Sequence, residues 1–64
     1  MSTAVAIKIL CVEDHPVFRE GLATVIASQP DMQLIGFASN GVEAVAEFHR
    51  HQPDVTLMDL QLPG

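Results

Sequence analysis

Two short apolar runs, one near each end of the chain, constrain its fold more than any other feature, because each leads straight into acid. Ile7-Lys8-Ile9-Leu10-Cys11-Val12 runs into Glu13 and Asp14, and Val55-Thr56-Leu57-Met58 runs into Asp59. Both are shorter than an ordinary helix, and the first is rich in β-branched residues, so they read as strands. Their apolarity is nearly continuous where a half-exposed strand would alternate, which is the pattern of strands buried in a parallel sheet. Parallel neighbours require crossover connections, and the chain between the runs supplies them.

After the acidic pair, Pro16 stands where the first turn of a helix tolerates proline, and Phe18, Leu22, Val25 and Ile26 recur at helical spacing. This predicts an amphipathic helix that stops near Ser28-Gln29-Pro30-Asp31, since proline pushes the preceding residue out of helical geometry. Met32 to Ala38 is apolar but interrupted by Gln33 and Gly36, the mark of a less buried strand at a sheet edge. Ser39-Asn40-Gly41 is a turn. Asn40 with Glu43 resembles a capping box, and Val42, Val45, Ala46 and Phe48 give a second helix its apolar stripe. His49, Arg50 and His51 complement the negative end of that helix's dipole before Pro53-Asp54 breaks the pattern. His49 and His51, two apart, do not face each other on a helix and so do not form a metal pair. Gly21 fits either close helix-to-sheet packing or a sequence habit without structural cause.

The order is strand, helix, strand, helix, strand. The first and third strands have the more buried sequences, so the first is placed between the other two, in spatial order 2-1-3. One crossover then runs each way from the first strand, a doubly wound α/β arrangement with its switch point between strands one and three. Glu13, Asp14 and Asp59 converge at the carboxyl ends of those two strands.

Sixty-four residues make one small domain. Eight acidic against three basic residues, net charge −5, argue against binding a phosphate backbone and favour a cation or a basic partner. Cys11 is alone, which precludes an intrachain disulfide and suits a reducing compartment. With no basic leader and no apolar run near the ~18 residues of a membrane span, the expectation is a soluble cytoplasmic protein.

Crowded carboxylates at loops open to water recruit a cation. Mg2+ fits best, since it takes oxygen ligands and keeps several waters. A zinc site lacks ligands, His15 being the single His or Cys at a strand end. A carboxylate beside Mg2+ can also attack phosphorus to give an aspartyl phosphate, and Asp59, alone at its strand end, is the candidate nucleophile. Glu13 and Asp14 are then metal ligands, directly or through water. Each acid also has a plainer use: Asp14 as a helix N-cap and Asp59 as a turn residue before Leu-Pro-Gly.

Three blocks, Glu13 to Leu22 (EDHPVFREGL), Gly36 to Gly41 (GFASNG) and Leu57 to Gly64 (LMDLQLPG), together resemble the receiver domain of bacterial two-component response regulators. The HPVFREGL segment is similar to the NarL/FixJ (LuxR-type) subfamily. The resemblance implies a flavodoxin-like doubly wound parallel sheet in order 2-1-3-4-5, of which residues 1–64 hold the N-terminal part. Strands four and five, the later helices, the Ser or Thr and Lys that contact the phosphoryl group, and any output domain lie beyond it. It also implies that Asp59 accepts a phosphoryl group from a sensor histidine kinase and that Asp14 and Asp59 bind Mg2+. The backbone carbonyl of Gln61 adds a ligand, and Glu13 acts through water. DNA would be reached through a helix-turn-helix output domain absent from this chain.

Two other classes share the crevice. Aspartate-nucleophile phosphatases of the haloacid dehalogenase type use a D-x-D pattern, whereas this chain has Asp59-Leu60-Gln61. A flavodoxin-like or cobalamin-binding module calls for a Gly-rich phosphate loop or D-x-H-x-x-G, and neither occurs. Physics adds one expectation: the outer edge of the third strand pairs with a second copy or is covered by further chain.

Overall fold

In the computed structural model, which describes residues 6–58, β1 (Ile7–Val12) leads through α1 (Pro16–Ala27) to β2 (Met32–Ala38), and α2 (Gly41–His51) leads to β3 (Val55–Met58). The three strands form one parallel sheet in the order β2-β1-β3. This is the order expected from the sequence.

β1 is central because its residues tolerate burial on both faces. Ile9, Leu10, Cys11 and Val12 are all buried, whereas Ile7 and Lys8 at the entrance are exposed. Side chains alternate across a strand, so Leu10 and Val12 share one face and Ile9 and Cys11 the other. Leu10 and Val12 cluster with Ala38 and with Ala44 of α2. On the opposite face α1 lies over β2, where Arg19 stacks on Phe37, the register partner of Cys11. The sheet is therefore wound on both sides, as the switch-point argument requires.

The register of β1 against β2 slips between Ile9 and Leu10, so that Leu34 and Gly36 pair with consecutive residues. At Gly36 a Cβ would stand 3.1 Å from Glu47 Oε1 and 3.3 Å from His51 Cδ2. The interruption read as a sign of a weak strand is also the place where the last turns of α2 approach the sheet.

α2 begins as its sequence predicts. The Asn40 side chain accepts from the Glu43 amide at 2.9 Å, and Glu43 Oε1 accepts from the Ser39 amide at 2.7 Å. The second bond reaches one residue earlier than a standard capping box, and both satisfy amides at the helix entrance. The helix ends at Gln52, whose backbone is left-handed with φ 49°. Asp54 then fixes the start of β3: its amide donates to the Lys8 carbonyl, and its carboxylate accepts from the Lys8 amide, both at 2.8 Å.

Two expectations are corrected. β3 has the sequence of a buried strand, but Val55, Leu57 and Met58 are exposed, because among the described residues nothing lies beyond its outer edge. The apolar stripes of the helices are likewise mostly uncovered: Phe18 and Val25 on α1, and Val42, Val45 and Phe48 on α2, are all exposed. Val45 and Phe48 overhang an open apolar groove of about 550 Å³ whose floor is Leu10, Thr56 and Met58. The stripes are real, but a three-stranded sheet is too narrow to cover them. Among the described residues no helix is long and apolar enough to cross a membrane.

Candidate acidic site at the carboxyl ends of β1 and β3

β1 does not stop abruptly at Val12. The Glu13 amide continues the ladder with a 2.9 Å bond to the Ala38 carbonyl, and the Glu13 carbonyl accepts 2.9 Å from Arg19 Nη2. Glu13 is thus held at both backbone groups, and as a residue it is only 6% exposed. A carboxylate so buried requires partners. Its Oε1 accepts from the His15 amide at 3.1 Å and lies 2.8 Å from His15 Nδ1.

Asp14 is more open. Its Oδ1 lies 3.0 Å from the same His15 Nδ1, so one imidazole nitrogen spans both acids. The His15 ring also meets Phe18 edge-on at 5.6 Å between centroids. One ligand atom each from Glu13, Asp14 and His15 falls within 4.8 Å of the others. The two carboxylates of this group, open on the Asp14 side, fit a hard divalent cation that keeps part of its water.

The N-cap of α1 is His15, without a side-chain cap bond, and Pro16 takes the first helical position. Asp14 is therefore not the N-cap, which removes the plainer of its two readings. The positive end of the helix dipole still lies beside the acidic loop and favours negative charge there.

The parallel register of β1 and β3 pairs Val12 with Met58. Glu13 and Asp14 follow the first in sequence and Asp59 follows the second. Asp59 and Gln61 themselves lie outside the described residues.

Sequence reasoning passed over Arg19. Its Nη2 donates to the Glu13 carbonyl and, at 2.7 Å, to Ser39 Oγ at the end of β2, while its guanidinium carbon stands 4.9 Å from the Phe37 ring centroid. One side chain from α1 so ties the ends of both neighbouring strands. A signal existed: a cation this near a helix N-terminus opposes the dipole and calls for a reason. Beneath the site the Cys11 thiol is pushed up from its usual range, first by burial and then by the charge of Glu13, with Arg19 opposing.

Residues 9–64 match the family model of the response regulator receiver domain. The chain is similar to the transcriptional regulatory protein BtsR of Salmonella typhi, 40% identical over 57 residues that are 89% of this chain and 24% of the relative. It is also similar to a protein-glutamate methylesterase/protein-glutamine glutaminase of Thermotoga maritima, 44% identical over 58 residues, 91% of this chain and 17% of the relative. The chain therefore spans no more than about a quarter of these curated relatives. Among solved structures, the response regulator domain of Thermotoga maritima CheB superposes with a TM-score of 0.87 at 42% identity, covering 92% of this chain and 44% of that one. By the length of the family match and by the agreement of fold, the chain belongs to the response regulator receiver domain family.

Proposed function

We propose that this chain is the N-terminal part of a phospho-accepting receiver in a two-component system, with Asp59 as the acceptor and a sensor histidine kinase as donor. The observation that carries it is the pairing of Val12 with Met58, which sets the ends of two strands side by side just before their acids. Among the described residues, Asp14 has its Oδ1 at a partly exposed carboxylate beside the buried Glu13.

In the transfer, an Asp59 carboxylate oxygen forms the new O–P bond as the P–N bond of the donor phosphohistidine breaks. The leaving nitrogen keeps the electron pair of that bond, and nothing is oxidised or reduced. Bound Mg2+ supplies positive charge that offsets what builds on the phosphoryl oxygens. Asp14 and Asp59 would hold it with their carboxylates, Gln61 with its carbonyl. Glu13 suits a role through water, since its Oε1 already accepts from the His15 amide and lies 2.8 Å from His15 Nδ1. The chain acts as acceptor rather than as an enzyme in its own right, and the reading places it in the cytoplasm.

A DNA-binding output domain is the reading favoured by the HPVFREGL segment and by likeness to a transcriptional regulator. The methylesterase relative supports an enzymatic output instead. Binding of promoter DNA by the intact protein, against hydrolysis of a protein glutamate methyl ester, separates the two. For the acceptor, the intact protein is treated with Mg2+ and acetyl phosphate and mapped by peptide mass. Label on Asp59 is expected, and label on any other residue rejects the assignment.

A further inference from the structure

His15 is no free-standing loop histidine: its Nδ1 touches both acids of the pocket. Carboxylate oxygens only accept hydrogen bonds, so a nitrogen 2.8 Å from Glu13 Oε1 and 3.0 Å from Asp14 Oδ1 must carry a hydrogen. This holds for the neutral ring protonated at Nδ1 and for imidazolium alike. The nitrogen nearest the acids therefore has no lone pair for a metal. In this arrangement it bonds to Glu13 Oε1 and stands 3.0 Å from Asp14 Oδ1, where a cation would sit.

Resting on the cation reading above, we infer that His15 is a clasp that competes with the divalent cation for Asp14, and thereby sets how tightly the pocket binds it. Three observations define the clasp. Its backbone amide is fixed to Glu13 Oε1 at 3.1 Å, so the side chain departs from an anchored point. Its ring is seated edge-on against Phe18. Its partners differ in depth, Glu13 being buried and Asp14 partly open. A cation arriving from solvent meets Asp14 first and must take Oδ1 from the ring, while the Glu13 bonds can persist. His15 is thus a positioning residue whose effect falls on cation affinity.

The test is Mg2+ titration of the intact protein at fixed pH and ionic strength, followed by NMR, with wild type, His15→Ala, Phe18→Ala and Asp14→Asn compared. Both His15 and Phe18 are exposed, so their substitution should leave the fold in place, which the amide spectrum reports directly. Removing an imidazole that stands 3.0 Å from Asp14 Oδ1 predicts that His15→Ala binds Mg2+ more tightly, by up to about fivefold. Phe18→Ala, which touches neither acid, should shift affinity in the same direction by less. In wild type the His15 ring resonances should move on Mg2+ addition with the same midpoint as the pocket amides. Equal or weaker binding by His15→Ala, with wild type binding normally, overturns the clasp and leaves the cation site standing. No saturable Mg2+ binding by wild type, or no loss of it in Asp14→Asn, overturns the cation reading and the clasp together.

Discussion

β1 and β3 have sequences of the same kind and fates of opposite kinds. IKILCV and VTLM are both short and largely apolar, yet Leu10 is fully buried and Leu57 is 37% exposed. What separates them is neighbours: β1 has β2 on one side and β3 on the other, and β3 has β1 alone among the described residues. Apolarity states what burial a strand can tolerate, and the sheet decides what it receives. Exposed apolar strands with a free edge invite pairing, so the expectation of self-association or of cover by further chain stands as a proposal. Sedimentation of the 64-residue stretch tests it, a monomer with native helicity counting against it.

The sharpest way to break this comparison is truncation of one leucine in each strand. Leu10→Ala should lower stability by about 2–5 kcal/mol, because it opens a cavity under α2 in the buried cluster with Val12, Ala38 and Ala44. Leu57→Ala, judged by its exposure, should cost less than about 1 kcal/mol. Urea unfolding of the intact protein measures both. A loss at Leu57 approaching that at Leu10 means that residues outside 6–58 lie over β3.

The next largest effect concerns how the strand ends are held. Arg19→Ala removes donors to the Glu13 carbonyl and Ser39 Oγ together with the stacking on Phe37. The expected loss is about 2–3 kcal/mol by denaturation, from one charge-assisted donor group and one cation–π contact. Arg19→Lys keeps the charge but not the planar fork, and should recover less than half of the loss. Full recovery by lysine would show that charge near the acids, rather than geometry at the strand ends, is what Arg19 contributes. A smaller effect, about 1 kcal/mol, is expected for Asn40→Ala, which removes the cap bond to the Glu43 amide at the head of α2.

Order, direction and element bounds were readable from residues 7 to 58 because each follows from local signals: proline at the head of α1, the Asn40–Glu43 cap and the continuous apolarity of β1. The uncovered stripes were not readable. Hydrophobic periodicity marks which side of a helix seeks cover, and Phe18 and Phe48 belong to such stripes, but it carries no information on whether cover is present. That β1 and β3 end side by side, Val12 against Met58, was legible from topology. The contacts of His15 and Arg19 were not, because both depend on side-chain reach: His15 Nδ1 turns back onto two acids, and Arg19 reaches from α1 to Ser39, twenty residues away.

The smallest effect contrasts the two faces of β1. Leu10 faces α2 and has no titrating group, whereas Cys11 faces the α1 side with a thiol whose pKa is raised by burial and by Glu13. In the unfolded chain that thiol ionises near its ordinary value of 9.0, and in the folded chain it holds its proton to higher pH. Above 9.0 the unfolded state therefore binds fewer protons than the folded state, and stability falls as pH rises until the folded thiol also ionises. Below 9.0 the thiol is protonated in both states and contributes no slope. Urea midpoints of wild type and Cys11→Ala, compared between pH 7 and pH 10, should run parallel up to about 9 and then converge as the wild type alone loses stability. Parallel lines across the whole range would mean that Cys11 reaches solvent in the folded state, and that the α1 face of β1 is as open as β3.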